Sequence, residues 1–300
     1  MKASAVEIAL SWGTIRGLHW ARPGAPKVMC LHGWLDNAAS FVPLAPWLGA
    51  FDLMALDMAG HGLSSHRPDS HRYYFTDYLF DLDAVLAKLG WGHCHLVGHS
   101  MGGGIASCFA AAAPEKVGRL VLLDALGMIT LPADQAAQQL RLSLASVRKP
   151  RGFLRPFETV EAAMRARQVK SPLSDDAARL LCERSLERSG DHYRWRTDPR
   201  LNWRSPQLPG DAQALDLLAA IRAPALVLTS ASISAYFGEE MTGRRLAAIG
   251  DCTHVRIKGH HHFHMEDAEN TGRLISEFLL QHQQSRETHH ADSQHTHSKP

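Results

Sequence analysis

His93–Ala112 reads HCHLVGHSMGGGIASCFAAA, and the fold turns on this stretch. His93–Val97 has the character of a short buried strand. Ser100–Ala112, rich in glycine and alanine, has that of a closely packed helix stopped before Pro114. Between them lies Gly98-His99-Ser100-Met101-Gly102, a G-x-S-x-G pentapeptide. A serine at such a strand-to-helix corner sits on a strained, tight turn, where side chains two positions away on either side would clash. The corner lifts the Ser100 hydroxyl out at the sheet edge. It also sets the Met101 N–H at a helix N-terminus, ready to donate to an oxyanion. The pentapeptide alone is weak evidence; with a strand before it and a helix after it, it points to a nucleophile.

Working outward, the same rhythm recurs. Val6–Leu10 and Thr14–Trp20 alternate as a hairpin around Trp12-Gly13. Lys27–Leu31, Phe51–Asp57 and Val117–Asp124 are further short apolar runs, and Asp77–Leu89 carries helical spacing closed by Gly90. After Gly127 the alternation breaks. Helical stretches near 133–147, 157–169 and 174–189 and a Trp- and Arg-rich segment follow. Then come a helix at Asp211–Ile221, strands at Ala225–Thr229 and His254–Ile257, and a last helix at Asp267–Gln281. This predicts an α/β fold, a mostly parallel sheet with helices on both faces, made of residues 1–126 and 221–280. Residues 127–220 would be a helical cap, and 281–300 a disordered, histidine-rich tail.

Composition sets the outer limits. The chain has 300 residues, 45% of them apolar and 21% charged, and a net charge of +2 with neutral histidines. Nothing in that balance suggests nucleic acid or an acidic membrane surface as a partner. No apolar run is long enough for a membrane span, and the first residues lack a signal-peptide core. Five cysteines without a CxxC pair read as buried thiols in a reducing, cytoplasmic setting. A monomer or homodimer acting on a small molecule is expected.

Two other segments carry candidate chemistry. His32-Gly33-Trp34 ends the strand at Lys27–Leu31, and its loop would lie beside the Ser100 turn, making the Trp34 N–H a second oxyanion donor. Asp36, nearby, reads as a surface or turn carboxylate. Gly259–His264 holds four histidines in GHHHFH. The spacing does not fit a helical HExxH site and no paired cysteines accompany it, so no metal or cofactor is expected. A loop after a late strand is where the base for a serine nucleophile belongs, because a hydroxyl is a poor nucleophile at its own pKa. Composition does not choose among His260, His261, His262 and His264. The acid that orients this base has two candidate positions. Ser230–Tyr236 offers only hydroxyls, so elimination favours Asp124, against the duller role of ordering loops. In the cap, arginines and lysines outnumber carboxylates between Arg141 and Arg204. That bias suits a carboxylate-bearing substrate, or simply a solvated surface, while apolar walls would suit an apolar one. Met128, Trp195 and Trp203, with His32, are candidate pocket walls.

HGWLDNAASF at His32–Phe41, DMAGHGLSS at Asp57–Ser65, GHSMGG at Gly98–Gly103 and VLLD at Val121–Asp124 together carry a resemblance. The chain resembles α/β-hydrolases of the haloalkane dehalogenase, epoxide hydrolase and C–C hydrolase type, and more closely the serine hydrolase-like proteins, over about residues 5–280. In that superfamily the catalytic histidine follows a glycine by one or two positions and precedes a glutamate by five. The register implies His261, set by Gly259 and Glu266. Dehalogenases and epoxide hydrolases use aspartate where Ser100 stands, which argues against both. Many relatives carry the acid where Ser232 and Ile233 lie here; dehalogenase relatives can carry it at the position of Asp124. The resemblance implies a serine hydrolase acting on an ester or related acyl bond, with a C–C bond hydrolase of diketones or a non-catalytic binding protein as alternatives.

Overall fold

The computed structural model describes residues 2–148 and 156–281. Among these, eight strands pair in the order β1-β2-β4-β3-β5-β6-β9-β10. They are β1 (Ser4–Leu10), β2 (Gly13–Trp20), β3 (Lys27–Leu31), β4 (Asp52–Asp57), β5 (Cys94–His99), β6 (Val117–Leu123), β9 (Ala225–Thr229) and β10 (Cys252–Arg256). The β1–β2 and β2–β4 pairs are antiparallel and every later pair is parallel. The expected α/β class therefore holds.

The continuous apolar runs have a simple cause. Successive residues of a strand point to opposite faces, and here both faces are covered. Met29, Leu31, Leu96, Leu120, Leu122 and Val227 pack on one side, against α1 (Asp77–Leu89) and α2 (Met101–Ala112). Val28, Cys30, Val97, Val121, Leu123 and Leu228 pack on the other, against the last described helix, Ala268–Leu280. Helix α1 ends where it should, with Gly90 at φ 65° and Trp91 N–H donating to Leu86 O at 2.9 Å, a left-handed stop that suits glycine.

The insertion carries α3 (Ala136–Arg148), α4 (Val160–Gln168), α5 (Asp175–Ser185) and α6 (Asp211–Ala219). Thr159 and Ser174 cap α4 and α5 by accepting from Ala162 and Ala177 N–H. Two expectations are corrected. The helix read through 174–189 stops at Ser185, and the chain turns into a hairpin of β7 (Leu186–Ser189) and β8 (His192–Trp195) around Gly190 at φ 62°. The segment after β9, read as a loop, enters a helix, α7 (Ile233–Ala248), kinked at Gly238. The tail from 282 onward lies outside the described residues.

Buried polar contacts seat the insertion on the core. Arg184 of α5 grips Asp57, at the end of β4, through Nε at 2.9 and 3.0 Å and Nη2 at 2.8 Å. Asn37 Nδ2 donates to Leu181 O and Ser185 Oγ, both at 2.8 Å. Asn37 of HGWLDNAASF and Asp57 of DMAGHGLSS thus join cap to core.

Candidate active site

Ser100, Asp124 and the Gly259–His264 loop follow the C-terminal ends of parallel strands, where loops of this architecture carry function. Ser100 follows β5 at φ 50°, ψ −114°. Its N–H donates to Leu123 O at 3.0 Å, which pins the turn to β6. The flanking glycines are required by space. A Cβ on Gly98 would lie 2.5 Å from Gly102 O, and one on Gly102 would lie 2.0 Å from Leu31 O. Leu35, Ser100 and Asp124 are the non-glycine residues with positive φ among those described, at 62°, 50° and 47°. Such strain persists only where the surroundings enforce it, and it collects at functional sites.

Asp124 follows β6 and is buried. Its Oδ2 lies 2.7 Å from His261 Nδ1. Its Oδ1 accepts from Ser230 N–H at 2.7 Å, and Ser230 Oγ donates to both oxygens at 3.1 and 3.0 Å. The loop after β9, which lacks a carboxylate, instead supplies the donors that hold one. Sequence reasoning missed Ser230, and nothing in TSAS flags it.

Of the four histidines, His261 is half-buried and meets Asp124; His260 is exposed; His262 and His264 are buried. His99 Nε2 lies 2.9 Å from His261 O, so the ring donates there and ties the histidine loop to the Ser100 turn. Tyr236, 57% exposed, faces the His261 ring with centroids 5.5 Å apart. Ser100 Oγ and the His261 ring are not hydrogen-bonded to each other in this arrangement.

Met101 opens α2, whose first-turn N–H groups lack intrahelical partners. Trp34 stands 49% exposed in the loop after β3. That loop abuts the nucleophile turn: a Cβ on Gly33 would lie 2.8 Å from His99 Nδ1.

The residues expected as pocket walls lie in several places. His32 is fully buried; Nδ1 donates to Gly33 O at 2.7 Å and Nε2 accepts Met58 N–H at 2.9 Å. It joins the ends of β3 and β4. Trp195 packs edge-on against Phe157 at 5.5 Å in the cap's own cluster. It lines a 260 Å³ cavity with Leu63, Ser64, His66 and Thr197, to which Ser100, Asp124 and His261 do not contribute. Trp203 lies under the Arg72 guanidinium, 5.8 Å from it. Met128 is partly exposed, and its carbonyl accepts from Arg245 at 2.6 Å. Asp36 is no surface carboxylate. It is 2% exposed and bonded to His262 Nε2 at 3.1 Å and to the Arg167 guanidinium of α4. Burial alone would raise its pKa; the charges of His262 and Arg167 outweigh that and hold the carboxyl well below its usual range.

Comparison with known proteins settles the family. Residues 26–225 match the family described as alpha/beta hydrolase fold. A serine hydrolase-like protein of Danio rerio is 31% identical, across 92% of this chain and 88% of its own. The chain belongs to the serine hydrolase-like proteins of the α/β-hydrolase fold. Among solved structures, a hypothetical protein from Pseudomonas aeruginosa PAO1 superposes with a TM-score of 0.84 at 32% identity, covering 92% of this chain and 99% of that one. The thioesterase domain from the curacin biosynthetic pathway superposes at 0.82 and 25% identity, covering 92% and 99%. This hydrolase has no described helix long and apolar enough to cross a membrane.

Proposed function

We propose that this α/β-hydrolase cleaves a carboxylic ester or thioester through an acyl-enzyme, with Ser100 as nucleophile, His261 as base and Asp124 as acid. The observation that carries the reading is the 2.7 Å Asp124–His261 contact, in a loop tied by His99 to the strained turn at Ser100. His261 Nε2 takes the Ser100 proton as Oγ attacks the acyl carbon. The oxyanion is received by the Trp34 and Met101 N–H groups, and Asp124 accepts from Nδ1–H and offsets the imidazolium charge. His261 then protonates the leaving alcohol or thiol. Water, deprotonated by the same ring, frees the acid. A thioester enters the range because of the likeness to a thioesterase domain.

A non-catalytic role drew its support from the missing carboxylate in Ser230–Tyr236. Asp124, cradled by Ser230 and in contact with His261, favours the catalytic reading. The cap over 127–220 is the lid of this reading. Buried thiols at Cys30, Cys94, Cys108 and Cys182 favour a cytoplasmic setting. A fluorophosphonate should add one adduct by intact mass, and Ser100→Ala should abolish it. An adduct of unchanged yield in the variant would overturn the assignment.

A further inference from the structure

Three segments far apart in sequence bring Asp36, His99 and His262 together in the buried layer behind the Ser100 turn. We propose that these three side chains bind a divalent first-row transition ion of the zinc class, and that occupancy slows the hydrolase.

The ligand atoms are Asp36 Oδ2, His99 Nδ1 and His262 Nε2, all within 4.8 Å of one another. Oδ2 stands 3.1 Å from His262 Nε2 and 3.4 Å from His99 Nδ1. Two ligands of a tetrahedral zinc, each about 2.0–2.1 Å from the ion, lie roughly 3.3 Å apart.

Protons make the case stronger than distances do. His99 Nε2 faces the His261 carbonyl, which only accepts, so Nε2 carries the hydrogen. In the neutral ring Nδ1 is then bare. That buried nitrogen has no hydrogen-bond partner and confronts a carboxylate oxygen, acceptor against acceptor. A cation between them relieves the conflict. His262 completes the set: Ser171 Oγ lies 2.9 Å from its Nδ1 and can accept Nδ1–H, so an ion that displaces the Nε2 proton now facing Asp36 gains Nε2 as a ligand. Each ring then has an acceptor on its far nitrogen, the outer arrangement that orients metal-binding histidines. Arg167 occupies Oδ1 and leaves Oδ2 for the ion. Its positive charge weakens binding, which makes the site reversible rather than structural.

The link to turnover is positional. His99 precedes Ser100, His262 follows His261, and the His99 ring holds the His261 carbonyl. Ligation fixes both neighbours of the reacting groups at once. The sequence argument against metal considered local spacing; these ligands come one from each of three segments.

The test is Co²⁺ titration of the full chain, read by visible d–d absorption, with Zn²⁺ competition. Wild type should show an intense low-symmetry spectrum saturating at one equivalent. His262→Gln should lose it, or weaken binding at least tenfold, and should need at least tenfold more Zn²⁺ for the same loss of turnover. His261→Gln should keep the spectrum although it is inactive, which separates this proposal from the catalytic assignment. Equal spectra in wild type and His262→Gln, or loss in His261→Gln alone, would overturn the site. Binding without any effect on turnover would overturn the coupling. Anomalous scattering at the zinc edge from wild-type crystals needs no variant: a peak anywhere but among the three side chains also overturns it.

Discussion

Asp124 illustrates how much a single residue costs to hold. Its backbone sits at φ 47° and its carboxylate is buried; each is unfavourable alone. Charge-assisted hydrogen bonds from Ser230 and His261 offset both. Asp124→Asn keeps the shape and removes the charge. Turnover of p-nitrophenyl acetate should fall by roughly 10⁴ while circular dichroism stays unchanged, and adding His261→Ala should cost little more, since members of one unit are non-additive. A folded variant with near-normal turnover would place the acid elsewhere. Ser100 stands out in the sequence through its strand–G-x-S-x-G–helix pattern, and Asp124 through elimination at the end of a clear apolar run. Ser230 and Asp36 do not. Their partners lie 106 and 226 residues away, and no local pattern encodes a contact of that span.

Among elements, those with a clean period were read with their ends correct: β3 at Lys27–Leu31, α1 at Asp77–Leu89 and β9 at Ala225–Thr229. Helix α7 was missed because ISAYFGEEMTGRRLAA has no sustained apolar stripe and holds two glycines. The β7–β8 hairpin was missed because its strands, LERS and HYRW, are short, charged and mostly exposed. The two glycines of α7 give a test with opposite signs. Gly238 sits at φ 70°, ψ 162°, a region for glycine alone, with open space around a would-be Cβ. Gly238→Ala should therefore cost about 1–3 kcal/mol through backbone strain. Gly243, helical and equally uncrowded, should gain roughly 0.5–1 kcal/mol as alanine. Urea midpoints that move in the same direction for both would contradict the kink.

For the whole molecule, the cap's attachment sets stability. Asp57 is fully buried, and Arg184 is its counterion across the core–cap boundary. Arg184→Ala leaves that charge unpaired, although Ala38 and Leu63 N–H still hold it. The expected loss is about 3 kcal/mol, the lower end for a broken buried pair. It should appear in urea unfolding, with faster proteolysis within 127–220. Unchanged stability and proteolysis would mean that the cap is seated without help from this ion pair.

Acid should undo the molecule from within, through histidines that fold in neutral form. Burial lowers the pKa of His32 and His99 to about 4 and that of His61 to about 3. The hydrogen bonds agree for His32, whose Nε2 accepts from Met58 N–H and can do so only when unprotonated. In the unfolded chain the same rings titrate near 6.5. Between these values the unfolded chain binds protons that the folded chain refuses, so stability rises with pH across the window. It is lost as pH falls from about 6.5 toward 4. One such histidine costs about 2 kcal/mol at pH 5. The His32 and His61 rings lie 5.0 Å apart, so their titrations interact and the costs do not simply add. The urea midpoint should fall on passing from pH 7 to pH 5 with the slope of the transition unchanged. A midpoint that stays level over that interval would mean these rings bind protons equally well in both states, and the hydrogen bond to Met58 would then have to be given up.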